Sequence, residues 1–222
     1  MPVERVAKFI RQLTHDVRNG LSASDLEAAF IEEISADAEV LTEVRKLREM
    51  ISDTAKMLRA ISQYFQPASV HPIPWEAKTV MEELGKRVKA KFPEQFQAIK
   101  ITDDFRGETV EVDLEQTLVL VLAVLRNSIQ WMKEGAEISV HGTAKDGPAL
   151  IEIIEPKVDF TSDTPPEKWG TAPLYSTRSG GYGLGLFHAR KIAQAQGSRL
   201  EIHFAGNELI TRITLPEANT PM

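Results

Sequence analysis

The chain has 222 residues, 42% of them hydrophobic and 26% charged, the profile of a soluble globular protein with room for one large domain or two small ones. Its net charge of −6 argues against a nucleic-acid binder working through a basic surface, and the absence of cysteine excludes disulfides, thiolate metal sites and cysteine nucleophiles. No apolar run reaches the roughly 20 residues that a bilayer-spanning helix needs, and the N-terminal MPVERVAKFIRQL alternates charge with apolar residues, unlike a signal peptide; a cytoplasmic protein is expected.

From the N-terminus to about Phe65 the apolar period is helical. Val6, Ile10, Leu13, Val17, Leu21, Ser24, Ala28 and Ile31 form one narrow stripe. After SADAE a second stripe runs through Val44, Leu47, Ile51, Thr54, Leu58, Ile61 and Phe65. Two long helices with a short connection make a hairpin. A lone hairpin leaves much of both seams exposed, so a homodimer forming a four-helix bundle is expected. Pro67, Pro72 and Pro74 end the second helix, which places a boundary between residues 1–67 and 68–222.

The second region mixes periods. Trp75 to Phe92 reads as helix, AIKITDD and TVEVD as short strands, and LEQTLVLVLAVLRNSIQWMKEG as a buried helix. AEISVHGTAKDGPALIEIIEP reads as a hairpin turning at KDG. A polar loop over 156–180 precedes SGGYGLGL and a helix from Leu186 to Gln196, and two strands around Gly206-Asn207 close the chain. The expected class is α+β: the helical hairpin, then a sandwich of helices on one face of a largely antiparallel sheet.

Two groups of residues suggest chemistry. The glycines of SGGYGLGL match neither a Walker loop, which ends in Gly-Lys-Ser/Thr, nor a dinucleotide fingerprint, which follows a strand. They suit either a hinge or backbone that approaches an anion at a helix N-terminus. Asn127, in an apolar helix, is either a magnesium ligand or an amide at a helix end. In LTHDVRNGL, His15 lies about 200° round the helix from Leu13 and from Val17, at ~100° per residue, and therefore faces solvent. Arg18 and Asn19 share its face, whereas Asp16 sits ~100° away and is not expected to stack on it. His15 is either a nucleophile or an ordinary surface histidine.

Together these pieces resemble the two-component sensor histidine kinases, over about residues 8–215. HDVRNGL is similar to the phosphoacceptor box, with Gly20 in place of its usual proline. DLEQTLVLVLAVLRNSIQW is similar to the Asn-containing box of the ATP-binding domain, although Ala123 stands where many relatives are polar. PLYSTRSGGYGLGL is similar to the aromatic box running into the second glycine box. The resemblance implies a dimerisation and phosphotransfer hairpin at 1–67 and a Bergerat-type ATP-binding domain at 68–222. It implies that His15 takes the γ-phosphoryl group of ATP and passes it to an aspartate on a response-regulator receiver domain. Asp16 would be the base, with Arg18 and Asn19 positioning phosphate or water. Asn127 would hold Mg2+. Glu155, Arg178, Gly181, Gly183, Leu184 and Gly185 would line the nucleotide.

The sequence departs from that pattern at the first glycine box, Asp-x-Gly-x-Gly. After ALIEII stands EPKVDF: Glu155 replaces the adenine-reading aspartate, and Lys157 and Asp159 replace the glycines. The expectation is therefore a histidine-kinase-like protein with ATP and Mg2+ as cofactors. The alternatives are a phosphotransferase whose degenerate domain does not bind ATP, and a non-catalytic dimeric adaptor.

Overall fold

A computed structural model describes residues 3–145, 147–157, 164–173 and 183–218. They form two compact units, Met1–Pro67 and Ala68–Met222.

The first unit is a helical hairpin of α1 (Val3–Ile34) and α2 (Ala38–Phe65). Asp37 caps α2, its carboxylate accepting from the backbone N–H of Glu39 and Val40. The helix α1 passes through Gly20 without a break. The sequence stripe divides in two. Thr14, Ala28 and Val44 are buried, with Ile10, Leu21, Ile51 and Leu58 half-buried, and these form the inner face of the pair. Leu13, Val17, Ile31 and Leu47, placed by their spacing in the same seams, are exposed, at 44% for Leu13 and 36% for Val17. Phe9, Phe30, Met50 and Met57 are exposed too. A stripe broad enough to serve two neighbours finds only one within a single chain. Arg48 ties the helices across the hairpin, bonding Asp25 at 2.9 Å and Glu32 at 3.0 Å. Arg45 adds a second bond to Glu32, and these cations hold the Glu32 carboxyl below the usual carboxylate range.

The second unit opens with a strand where helix was expected. Residues Ile73–Glu76 form β1, antiparallel to β3 (Thr109–Val112), and α3 (Ala77–Lys91) begins only after Trp75. Pro72 and Pro74 account for the difference, because each removes an N–H and favours extended backbone in the residue before it. A second sheet has the order β2-β4-β5-β7-β6, from β2 (Ile99–Asp103), β4 (Ile138–Thr143), β5 (Leu150–Pro156), β6 (Arg199–Ala205) and β7 (Glu208–Thr214). Strands β2 and β4 are parallel and every other pair is antiparallel. One face is buried: Ile138 and Val140, Ile151 and Ile153, Leu209 and Ile213, Leu200 and Ile202. Against it lie α3, α4 (Leu114–Gln130) and α5 (Gly185–Ala195). Helix α4 is buried nearly all round, as its unbroken apolar run predicts.

Leu125 of α4 is fully buried in this core. Leu125→Ala should lower the unfolding free energy by about 2–5 kcal/mol, the usual cost of a core cavity, measured by urea denaturation.

Candidate functional site

The histidine of α1 stands in the open. Its side chain is 67% exposed, and Nδ1 lies 3.1 Å from Oδ1 of Asp16. This corrects the helical-wheel expectation: neighbours ~100° apart do not stack, yet the two short side chains bend towards each other and meet. Gln12 supports the carboxylate, its Nε2 donating to Oδ1 at 2.9 Å and to Oδ2 at 3.2 Å. The His15 contact first, and the Gln12 bond second, hold the Asp16 carboxyl below the usual carboxylate range. Asn19 Nδ2 reaches the same His15 nitrogen at 3.4 Å. Asp16 is closer and its carboxylate can only accept, which puts the proton on Nδ1; in that tautomer the Asn19 amide, itself a donor, makes a contact with Nδ1 but no hydrogen bond to it. Nε2 makes no hydrogen bond among the described residues and keeps its lone pair. Arg18 is exposed and makes no hydrogen bond or ion pair among the described residues, so only Asn19 of the two reaches the imidazole.

The other group forms where α4 meets the end of β5. Strand periodicity carries Ile151, Ile153 and Glu155 to the helix-facing side. Glu155 is therefore 3% exposed, a carboxylate in a core position. Ser128 of α4 donates to its Oε1 at 3.0 Å while also bonding the Val124 carbonyl. Oε2 lies 2.9 Å from Nζ of Lys157, an ion-pair contact without a well-angled hydrogen bond. The Lys157 side chain is itself only 6% exposed, and its Nζ also donates to the Trp131 carbonyl at 3.4 Å. Its backbone N–H bonds Asn207, in the turn between β6 and β7, at 2.7 Å.

The glycine turn before α5 is simpler. Gly183 has φ +59°, a conformation that favours glycine, and α5 starts at Gly185 with no side-chain cap on its first N–H groups. Leu184 is buried and Leu186 half-buried against the core, so both anchor the turn. Arg190 braces the preceding loop by donating to the carbonyls of Trp169, Glu167 and Leu200. Gly170, at φ +70°, lies so close to Leu186 that a Cβ would come within 2.6 Å of its backbone. Arg178, Gly181 and Asp159 lie outside the described residues. Asn127 is half-buried and its amide makes no hydrogen bond among the described residues. Its oxygen could supply one ligand to a magnesium ion, and the described residues hold no cluster of three or more acidic or histidine side chains around it. No described helix is long and apolar enough to cross a membrane.

These residues do not fit ATP at its base end. If Glu155 stands for the base-reading carboxylate, as the resemblance implies, Ser128 donates to its Oε1 and the Lys157 ammonium stands in ion-pair contact at its Oε2, where an adenine amine would have to approach. Sequence reasoning missed Ser128 and the Lys157 contact. The signal was present: Ile151, Ile153, Glu155 and Lys157 continue one alternation, and Ser128 is the polar neighbour of Asn127 in a buried helix.

The chain matches the catalytic domain of the histidine kinase ThkA over 66% of its own length and 96% of that chain, with a TM-score of 0.55 and 17% identity. Full-length ShkA, solved in complex with AMPPNP, matches over 97% of this chain with a TM-score of 0.63 and 16% identity; this chain spans 47% of ShkA. The mycobacterial sensor histidine kinase MprB matches over 68% of this chain and all of its own, with a TM-score of 0.53 and 20% identity. No family model and no curated protein matches the sequence. The fold is therefore that of the histidine kinases, a helical hairpin followed by an α/β sheet domain.

Gln12→Ala should raise the Asp16 carboxyl pKa towards its ordinary value while leaving α1 intact, read by carbonyl NMR titration. The sign is that of a depressed carboxylate: what the contact contributes is present above the unfolded-state pKa and is lost as pH falls through the folded one. An unmoved titration would mean that Gln12 does not hold the carboxylate.

Proposed function

We propose that the chain is a phosphotransfer protein of the histidine-kinase type, in which His15 takes up a phosphoryl group and exchanges it with an aspartate on a response-regulator receiver domain. The observation that carries this is the exposed His15 ring, with Nδ1 on a carboxylate and Nε2 open, on the hairpin of a chain with a histidine-kinase fold. The ring's lone pair suits nucleophilic attack. Nε2 attacks the phosphorus of a phosphorylated aspartate, the P–N bond forms, and the P–O bond breaks to release the aspartate carboxylate. Asp16 holds the Nδ1 proton, offsets the positive charge developing on the ring, and accepts that proton as neutral phosphohistidine forms. The reverse sequence returns the group to a receiver. Asp16 orients the imidazole, and Arg18 is free to meet the incoming phosphoryl oxygens.

Two donors are compatible with this role. ATP, acting through Asn127 with Mg2+ and the Gly183–Gly185 turn, is the donor the family resemblance implies. The ion-pair contact of Lys157 with Glu155 is what supports the other, a phosphorylated protein, and that is the reading we adopt. The direct experiment incubates the full chain with a phosphorylated receiver and follows phosphohistidine by mass spectrometry. Label on His15, lost in His15→Ala, is the expected outcome. Receiver binding that is unchanged in His15→Ala, with no transfer, would leave the adaptor reading instead.

The exposed stripe of Leu13, Val17, Ile31 and Leu47 supports a homodimer paired through the hairpin. Sedimentation equilibrium should give a dimer for the wild-type chain. Leu13→Glu/Val17→Glu should shift it to monomer by at least about tenfold in the dissociation constant. A wild-type chain that stays monomeric at high concentration would contradict this.

A further inference from the structure

The contact between Lys157 and Glu155 has a consequence for which ligand the second unit admits. Lys157 stands two positions after Glu155, just past the end of β5, so the alternation of the strand puts both on one face and their rotamers bring the charged ends together. Pro156 restricts the backbone between them, and the bond from Lys157 N–H to the Asn207 carbonyl fixes the strand's end. Lys157 is thus a tethered partner, held beside the carboxylate at an effective concentration that a free ligand must overcome.

We infer that Lys157 sets Glu155 against adenine: its ammonium takes, beside Oε2 of Glu155, the place that a base's exocyclic amine would fill. The inference rests on the proposed correspondence of Glu155 with a base-reading carboxylate. Size and charge work together. The ammonium sits 2.9 Å from Oε2, so no second donor heavy atom fits on the same line. An adenine amine is neutral. Exchanging it for Lys157 replaces a charge-assisted contact with a weaker one and leaves a buried carboxylate without its counter-charge. Ser128 on Oε1 offers no relief, because a hydroxyl supplies a hydrogen bond and no charge. The base end is accordingly set against ATP, and the phosphoryl group on His15 comes from protein donors.

The test is calorimetric titration of AMPPNP with Mg2+ into the full wild-type chain, Lys157→Gly and Lys157→Ala. The wild type should give no binding up to about 1 mM, and at least one folded variant should bind at least about tenfold more tightly. Wild-type binding at micromolar affinity would overturn the inference. So would folded variants that bind no better than the wild type. Should both variants fail to fold, NMR of the Lys157 ammonium in the wild type decides: a signal unmoved by AMPPNP supports the inference, and a saturable displacement overturns it. Transfer from a phosphorylated receiver to His15, measured on the same wild-type preparation, separates the two claims. Transfer alongside tight AMPPNP binding overturns the role of Lys157 alone, whereas absence of transfer overturns the phosphotransfer reading beneath it.

Discussion

A carboxylate at 3% exposure must find a counter-charge or hydrogen-bond donors, because an unpaired buried charge costs several kcal/mol. Glu155 meets that requirement from within the chain, through Ser128 and Lys157. The surroundings follow from the same constraint. The strand must run on past Ile153 with its alternation intact, α4 must bring Ser128 and the Trp131 carbonyl to the strand's end, and the turn between β6 and β7 must hold Lys157 by its backbone.

The two units carry different chemistry. In the hairpin, every polar contact at His15 serves one ring nitrogen: Asp16 takes its proton and Gln12 holds Asp16. The other nitrogen is left to solvent. That asymmetry gives the imidazole one held end and one open end. In the second unit Glu155 at the end of β5 is held by the Ser128 hydroxyl on Oε1 and by ion-pair contact with Lys157 at Oε2. A fold shared with ThkA, ShkA and MprB thus holds an exposed histidine and a buried, ion-paired carboxylate.

Much of the architecture was legible in the sequence because period alone carries it. The long helices of the hairpin, the buried helix at Leu114–Gln130 and the strand pair β4–β5 all follow from apolar spacing. Three things were not. The stripe of α1 read as one seam, since periodicity tells which residues share a face and is silent on how many neighbours that face meets; Leu13 and Val17 are exposed for that reason. The strand at Ile73–Glu76 was hidden because Trp75 fits the apolar spacing of the helix after it, and only the prolines separate them. Side-chain reach was the third. A helical wheel gives angles, whereas the Asp16–His15 contact depends on rotamers, and so does the meeting of Lys157 with Glu155. Substituted glycines at Lys157 announced an altered nucleotide box; that the substituting residue would pair with the neighbouring acid required the strand's geometry.

The most direct measurement is a crystal structure of the full chain grown with AMPPNP and Mg2+. The account predicts Lys157 Nζ still within ion-pair distance of Glu155 and no base against that carboxylate. Adenine seated on Glu155, with Lys157 swung out to solvent, would contradict it.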